Sequence, residues 1–259
     1  MIDIHCHILP GVDDGPKDWD EALSLVRAAA DDGVTGMVST SHVVDRLDAS
    51  TERLYRDLFD ELVARVRDAG IPMRLWLAGE IHCQTAFDPA SPLATFGANG
   101  KYALVELPMG QIPPDVNDLF FRLEIEGVTP ILAHPERNGP LAQSPQKVQD
   151  LVRRGVLMQV NAGSLMGRFG RGARQAAETL MDHNLVHFMA SDAHNTGSRP
   201  PTLSDARDEV VRRWGEERAR RLFIDHPLAA AEGRDIEPEE PLPLAPKRRG
   251  WLSRLKVTS

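Results

Sequence analysis

Short apolar runs alternate along this chain with longer stretches in which apolar residues recur every three or four positions. The runs fall at residues 2–4, 35–40, 73–80, 103–107, 129–134, 156–161 and 186–191, and they predict seven strands. The helical period appears at about 18–33, 51–69, 115–126, 145–154, 172–184 and 202–214. In the first of these stretches Asp18 and Glu21 have the spacing of a capping box, Ala22, Leu25, Val26 and Ala29 share one face, and Gly33 supplies the stop. Pro108, Pro113 and Pro114 follow the fourth strand and predict a loop over its end. Strands alternating with helices predict a parallel sheet. Seven strands in about 215 residues predict an α/β fold, closed or nearly closed into a barrel. An open doubly wound sheet is the alternative.

The pattern ends near residue 232. Glu237-Pro238-Glu239-Glu240-Pro241-Leu242-Pro243 reads as an acidic, Pro-rich linker leading to Lys247-Arg248-Arg249-Gly250-Trp251-Leu252-Ser253-Arg254-Leu255-Lys256. The expected division is therefore a barrel domain over 1–232 and a linker with a basic tail over 233–259, outside the barrel. The tail's cations beside Trp251, Leu252 and Leu255 suit contact with anionic lipid or an acidic partner, and equally suit a solvated end.

Composition alters this picture in two places. A net charge of −8 argues against a general nucleic-acid binder. It also leaves room for bound cations: three dications would add about six positive charges, so part of the acidity reads as ligand charge. Cys6 and Cys83 form no disulfide framework, which points to a reducing compartment. Met1-Ile2-Asp3-Ile4-His5 shows no signal-peptide pattern, and no apolar run reaches the roughly 18 residues that span a bilayer. The expected location is the cytoplasm.

Candidate chemistry lies at the strand ends. His5 and His7 close the first strand, His42 the second, Glu80 the third, Glu106 the fourth, His134 the fifth, Asn161 the sixth, and Asp192 with His194 the seventh. In a parallel barrel all these ends share one face, where the active sites of such barrels are built. His5 and His7 are two apart, so both side chains leave an extended segment on the same side, while Cys6 faces away as a small buried hydrophobe. An isolated H-x-H is also compatible with a surface pair. Glu80 and Glu106 end apolar strands and need a cation or a hydrogen-bond partner, a buried salt bridge being the plainer solution. Asp13-Asp14-Gly15 is readable as a turn. His82, His183, His187 and His226 are not expected to take part.

Taken together the motifs carry a resemblance. Met1-Ile2-Asp3-Ile4-His5-Cys6-His7-Ile8-Leu9-Pro10 with Val12-Asp13-Asp14-Gly15, Ser39-Thr40-Ser41-His42, Ala78-Gly79-Glu80-Ile81, Ala103-Leu104-Val105-Glu106, and His134-Pro135-Glu136-Arg137 follow one another in order. Gly163-Ser164-Leu165-Met166-Gly167-Arg168-Phe169-Gly170, Ala190-Ser191-Asp192-Ala193-His194-Asn195 and Ser198-Arg199-Pro200-Pro201 continue the series. Over about residues 1–230 the chain resembles the polymerase and histidinol phosphatase (PHP) superfamily. Within it, the chain is similar to bacterial manganese-dependent protein tyrosine phosphatases of capsular and exopolysaccharide biosynthesis. The resemblance implies a distorted (β/α)7, TIM-like barrel and a site of three divalent ions, manganese first, with iron or zinc as alternatives. It implies one ion on His5, His7, Glu80 and Asp192, a second on Glu80, Glu106 and His134, and a third on Asp14, His42 and His194. It also implies phosphate-binding roles for Arg137 and Arg199. Cys6 stands where many members have a small hydroxyl residue, and the basic tail lies outside the family pattern.

The activity so implied is hydrolysis of phosphotyrosine by metal-bound hydroxide, on a protein substrate such as the Tyr-rich tail of a bacterial tyrosine autokinase. Neither cysteine heads the C-x5-R phosphate loop of cysteine-dependent phosphatases. The alternatives are a phosphoesterase acting on a small molecule such as histidinol phosphate, and a non-catalytic partner of polysaccharide export. Oligomeric state is not legible.

Overall fold

A computed structural model describes residues 1–244, so the basic tail at 247–256 lies outside the described residues. The chain opens with β1 (Ile2–Cys6), α1 (Trp19–Asp31), β2 (Gly36–Ser39), β3 (His42–Val43), α2 (Ala49–Asp68), β4 (Arg74–Leu77) and β5 (Glu80–His82). It continues through β6 (Tyr102–Glu106), α3 (Val116–Ile125), β7 (Thr129–Ala133), α4 (Gly139–Ala142), α5 (Pro145–Val152) and β8 (Leu157–Asn161). It ends with α6 (Ala162–Leu165), α7 (Gly170–Asp182), β9 (Phe188–Ala190), α8 (Ser204–Trp214), α9 (Glu216–Arg220) and α10 (His226–Ala231). Each expected helix is present. At the start of α1, the Asp18 carboxylate accepts from the Glu21 amide at 2.9 Å, satisfying a donor the helix cannot pair itself.

Every strand pairing is parallel. One sheet has the order β1-β2-β4 and the other β3-β5-β6-β7-β8-β9. The expected second strand is continued, after a break at Thr40 and Ser41, by the short β3, and the expected third is broken at Ala78 and Gly79 into β4 and β5. At the second break the Gly79 amide leaves the ladder and donates to Leu93 O at 2.9 Å, and a Cβ there would stand 2.6 Å from Val43 Cγ2. Asp192 N donates to His5 O and His7 N to Ala193 O, both at 2.8 Å, tying the chain beyond β9 to the end of β1. The seven strands thus follow one another round a distorted ring, unlike an open doubly wound sheet.

Two apolar layers follow from the period of two along each strand. In β6, Tyr102 and Leu104 point inward while Ala103 and Val105 pack against the helices. In β8, Leu157 joins the interior, and Met158 and Val160 the outer layer. The interior cluster also holds Ile2, Ile4, Val38, Ile131 and Phe188. Towards the C-terminal ends of the strands the same rows become polar: Glu106 lies in the next inward register of β6, and Gln159 and Asn161 follow Leu157. That face is therefore the end of the ring at which these strands present polar side chains.

Residues 234–244 depart from expectation. They lie against the barrel, with Tyr102 donating its hydroxyl to Arg234 O at 2.8 Å, and Glu239 paired with Arg218 and Arg221. Gln149 donates to Leu242 O at 2.8 Å, and Leu242 N donates to His183 O at 2.9 Å. Tyr102 opens β6 and His183 precedes β9, so this strap crosses the face opposite the polar strand ends.

Candidate metal centre

Glu80 opens β5 at the centre of the polar face and is 1% exposed. Four imidazoles surround its carboxylate. His5 Nε2 and His134 Nε2 lie 3.2 and 3.1 Å from Oε1, and His7 Nε2 and His42 Nδ1 lie 3.3 and 3.0 Å from Oε2. Asp14, His42 and Glu106 stand on the open side, with side chains 61%, 25% and 16% exposed. The cluster's other histidines, His5, His7, His134 and His194, are buried, so the centre opens to solvent past these three.

The tautomers are fixed from behind. His5 Nδ1 donates to Gln159 Oε1 and His7 Nδ1 to Asp13 Oδ2, both at 2.8 Å, and His194 Nδ1 donates to the Asp192 carbonyl at 3.0 Å. Each Nε2 therefore turns its lone pair into the cluster. The Nε2 atoms of His5 and His7 are only 3.3 Å apart. Two lone pairs held at that distance, in a buried site, require a proton or a cation between them.

Donor atoms gather in three overlapping groups, each within 4.8 Å: His5, His7 and Glu80; His42, Glu80 and Glu106; and His7, Asp14, His42 and His194. Asp192 sits beside the first group, its Oδ1 3.5 and 3.6 Å from His5 and His7 Nε2. His134 sits beside the second, 3.6 Å from Glu106 Oε1. Mixed imidazole and carboxylate donors suit divalent transition ions; calcium and magnesium favour all-oxygen shells.

Electrostatics show how strongly the site seeks positive charge. Burial alone would lower the pKa of His5, yet the carboxylates of Glu80 and Asp192 hold it up at about 8. His7 is likewise opposed by burial but raised to about 10 by its hydrogen bonds to Asp13 and Glu80. Burial and the Glu80 charge push Glu106 above the usual carboxylate range. Burial opposes ionisation of Glu80 too, but the surrounding imidazoles of His5, His134 and His42 bring it well below that range.

Arg137 and Arg199 converge on Asp192. Arg137 Nη1 donates to Oδ2 at 2.8 Å and Arg199 Nη2 to Oδ1 at 2.7 Å, while Arg199 Nη1 reaches Asp14 Oδ2 at 3.4 Å. Asn161 Nδ2 adds a third donor to Asp192 at 2.7 Å. This over-determined grip accompanies unusual backbone: Asp192 has φ +55° and His134 φ +31°, a region costly for residues other than glycine.

The family described as capsular polysaccharide synthesis, CpsB/CapC, matches residues 1–231. The chain belongs to this family. Among CpsB/CapC relatives it is 33% identical to the tyrosine-protein phosphatase YwqE of Bacillus subtilis, over 84% of this chain and 86% of that one. It is 34% identical to the putative tyrosine-protein phosphatase CapC of Staphylococcus aureus, over the same shares. It is also 32% identical to the tyrosine-protein phosphatase CpsB of Streptococcus agalactiae, over 87% and 96%. A solved structure from work on YwqE of Bacillus subtilis and CpsB of Streptococcus pneumoniae, described as unique metal-dependent tyrosine phosphatases, superposes with a TM-score of 0.85. It is 30% identical and covers 95% of this chain and 100% of that one.

All eleven candidate site residues of this CpsB/CapC member come to the one polar face. Three supporting residues were not singled out from the sequence. Asp13, readable there as a turn, also accepts from Gly15 N and His42 N, both at 2.9 Å, and so positions the strand that carries His42. Gln159 accepts from His5 and donates to Asn161 Oδ1 at 2.8 Å, and Asn161 in turn holds Asp192. Phe169 lies under Arg137, whose guanidinium carbon is 4.1 Å from the ring centroid. A polar residue in the inward register, in the middle of β8 between Met158 and Val160, was the available signal for Gln159. His82 and the buried His187 stand outside the three donor groups.

Proposed function

We propose that this CpsB/CapC member is a metal-dependent protein tyrosine phosphatase. The observation that carries it is the arrangement of four imidazoles around Glu80, with His5, His7 and the neighbouring His194 aimed by hydrogen bonds from behind, beside two arginines at the mouth. The proposed ligands are His5, His7, Glu80 and Asp192 for one ion, Glu80, Glu106 and His134 for a second, and Asp14, His42 and His194 for a third, with manganese preferred. Such ions, when bound, activate a water for attack on phosphorus and neutralise the phosphoryl oxygens.

The chain's own residues do the rest. Arg137 and Arg199 have planar guanidinium groups suited to paired hydrogen bonds with phosphate oxygens. Asp192, Asn161 and Phe169 keep them in place. Tyrosine's phenol has a pKa of about 10, so the phenolate departs more readily than an alkoxide and depends less on a proton donor. The substrate proposed is the phosphorylated Tyr-rich tail of a tyrosine autokinase that governs polysaccharide synthesis, met in the cytoplasm. Residues 1–232 would be the catalytic unit and 233–259 an appendage. No helix among the described residues is long and apolar enough to cross a membrane.

Steady-state kinetics with manganese on a phosphotyrosine peptide and on histidinol phosphate test this assignment. The expected result is a kcat/KM at least about a hundredfold higher for the peptide. Preference for histidinol phosphate would instead make the protein a small-molecule phosphoesterase.

A further inference from the structure

The ring is left open along one strand. β4 ends its sheet, paired with β2 on one side and with no strand on the other. Arg74 N and Ala78 N donate to Thr35 O and Ser39 O, so the even-numbered residues turn their main-chain groups towards β2. Alternation along the strand turns those of Leu75, Leu77 and Gly79 the other way. Gly79 N is met there by Leu93 O at 2.9 Å, which closes the C-terminal end of the edge. No hydrogen bond among the described residues takes up the N–H or C=O of Leu75 or Leu77.

A groove of about 300 Å³ lies along this edge. Leu75, Trp76 and Leu77 all line it. Side chains alternate between the two faces of a strand, so three consecutive residues share one groove only where it follows the strand's edge. One wall is α2, through Arg56 and Phe59, and the other is the chain between Pro92 and Ala98. Proteins commonly protect a free edge with lysine, proline or a bulge. Leu75-Trp76-Leu77 carries none of these, and all three residues are half-buried.

We propose that β4 accepts an added strand: an extended segment of a partner polypeptide that pairs with Leu75 and Leu77 and places an apolar side chain in the groove. The free groups set the chemistry of the partner. Two N–H and two C=O groups, repeating every second residue, are complementary to another extended backbone. The lining of Phe59, Leu75, Leu77 and Leu93 selects an aliphatic or aromatic side chain. Charge adds little to the selection, because Glu52 already accepts from Arg56 at 3.1 Å and from Ser91 at 3.3 Å. The edge is recessed between its two walls, so a single strand reaches it whereas the equally recessed β4 of a second copy does not. Glu80 follows the break at Gly79, beyond the end of β4, so the added strand lies outside the metal centre. The assignment holds whatever reaction that centre performs.

The test adds a short fluorescein-labelled peptide of alternating threonine and valine, with leucine at its centre, to the full chain. Anisotropy reads binding, and hydrogen exchange followed by NMR reads the individual amides. The peptide is expected to bind and to slow exchange at Leu75 and Leu77 by at least about tenfold. The same peptide N-methylated at its central amides should bind at least about tenfold more weakly, having lost its main-chain donors. Ala98→Trp, an exposed position on the wall, should weaken the unmethylated peptide by about tenfold by filling the groove. Hydrolysis of 4-nitrophenyl phosphate with manganese should stay within about twofold at saturating peptide. Equal binding of the methylated peptide, or unchanged exchange at Leu75 and Leu77, overturns the added strand. So does loss of hydrolysis on peptide binding, which would put the peptide at the metal centre. Protection of the two amides without peptide would also overturn it, by assigning the edge to a second copy if it grows with protein concentration and to the same chain if it does not.

Discussion

At the residue scale, the centre depends less on which groups are present than on how each is aimed. Gln159 is the clearest case. It belongs to none of the three donor groups, yet its oxygen fixes the His5 tautomer and its nitrogen begins the chain through Asn161 to Asp192. Gln159→Leu, similar in size and without polar atoms, is expected to weaken metal binding by about 10- to 100-fold while the fold persists. Competition with a fluorescent chelator reads this directly, and unchanged affinity would mean that His5 is aimed by packing alone. Cys6 supplies the opposite prediction. Its thiol is fully buried in the outer apolar layer, 3.1 Å from Val38 O, and burial holds its pKa well above the ordinary thiol value. A serine there can keep the same hydrogen bond, so Cys6→Ser should retain more than about half of the activity. Total loss would point to a cysteine nucleophile.

At the element scale, the strands and helices with clear periods were legible, and so was the face on which their polar ends meet. What escaped was structure carried by backbone and by short range. α4, α6, α9 and α10 are four to six residues long, too brief to display a helical period. The strap at 234–244 looked like a linker because Pro and acids dominate it, whereas main-chain groups of Arg234, Glu240 and Leu242 make the bonds that hold it. The site was legible in its donors, because ligand chemistry at strand ends shows in residue identity. Its left-handed turns at His134 and Asp192 were not, since neither is glycine. The N-terminal face carries its own prediction. His187 is buried before β9, and burial, with the nearby His226 and Arg218, lowers its pKa to about 3. Its Nδ1 accepts from Met158 N at 2.9 Å, so it serves the fold as a neutral ring. A folded value below the unfolded one of about 6.5 means that the unfolded chain takes the proton first. The stability it contributes is complete above about pH 6.5 and is lost as pH falls towards 3. His187→Asn, which keeps an acceptor but does not titrate, should flatten the decline of the melting temperature between about pH 6.5 and 4. Parallel curves for the two proteins would contradict this.

At the scale of the whole molecule, a barrel with one apolar end and one polar end explains both the fold and the position of the centre. The apolar rows fill the ring, and the strap crosses that end; the other end concentrates Asp14, Glu80, Glu106 and Asp192 with five histidines. Such a concentration of buried charge is stable only with compensating cations or protons. Bound ions should therefore stabilise the fold as well as support turnover, since a ligand bound only to the folded state adds about 2.7 kcal/mol at a hundred times its dissociation constant. The most direct test is to strip the purified protein with a chelator and measure metal content, phosphotyrosine hydrolysis and melting temperature together, before stripping and after manganese is returned. The account predicts that all three fall together and recover together, with up to three ions regained per chain. Full phosphotyrosine hydrolysis by protein shown to be free of metal would contradict it.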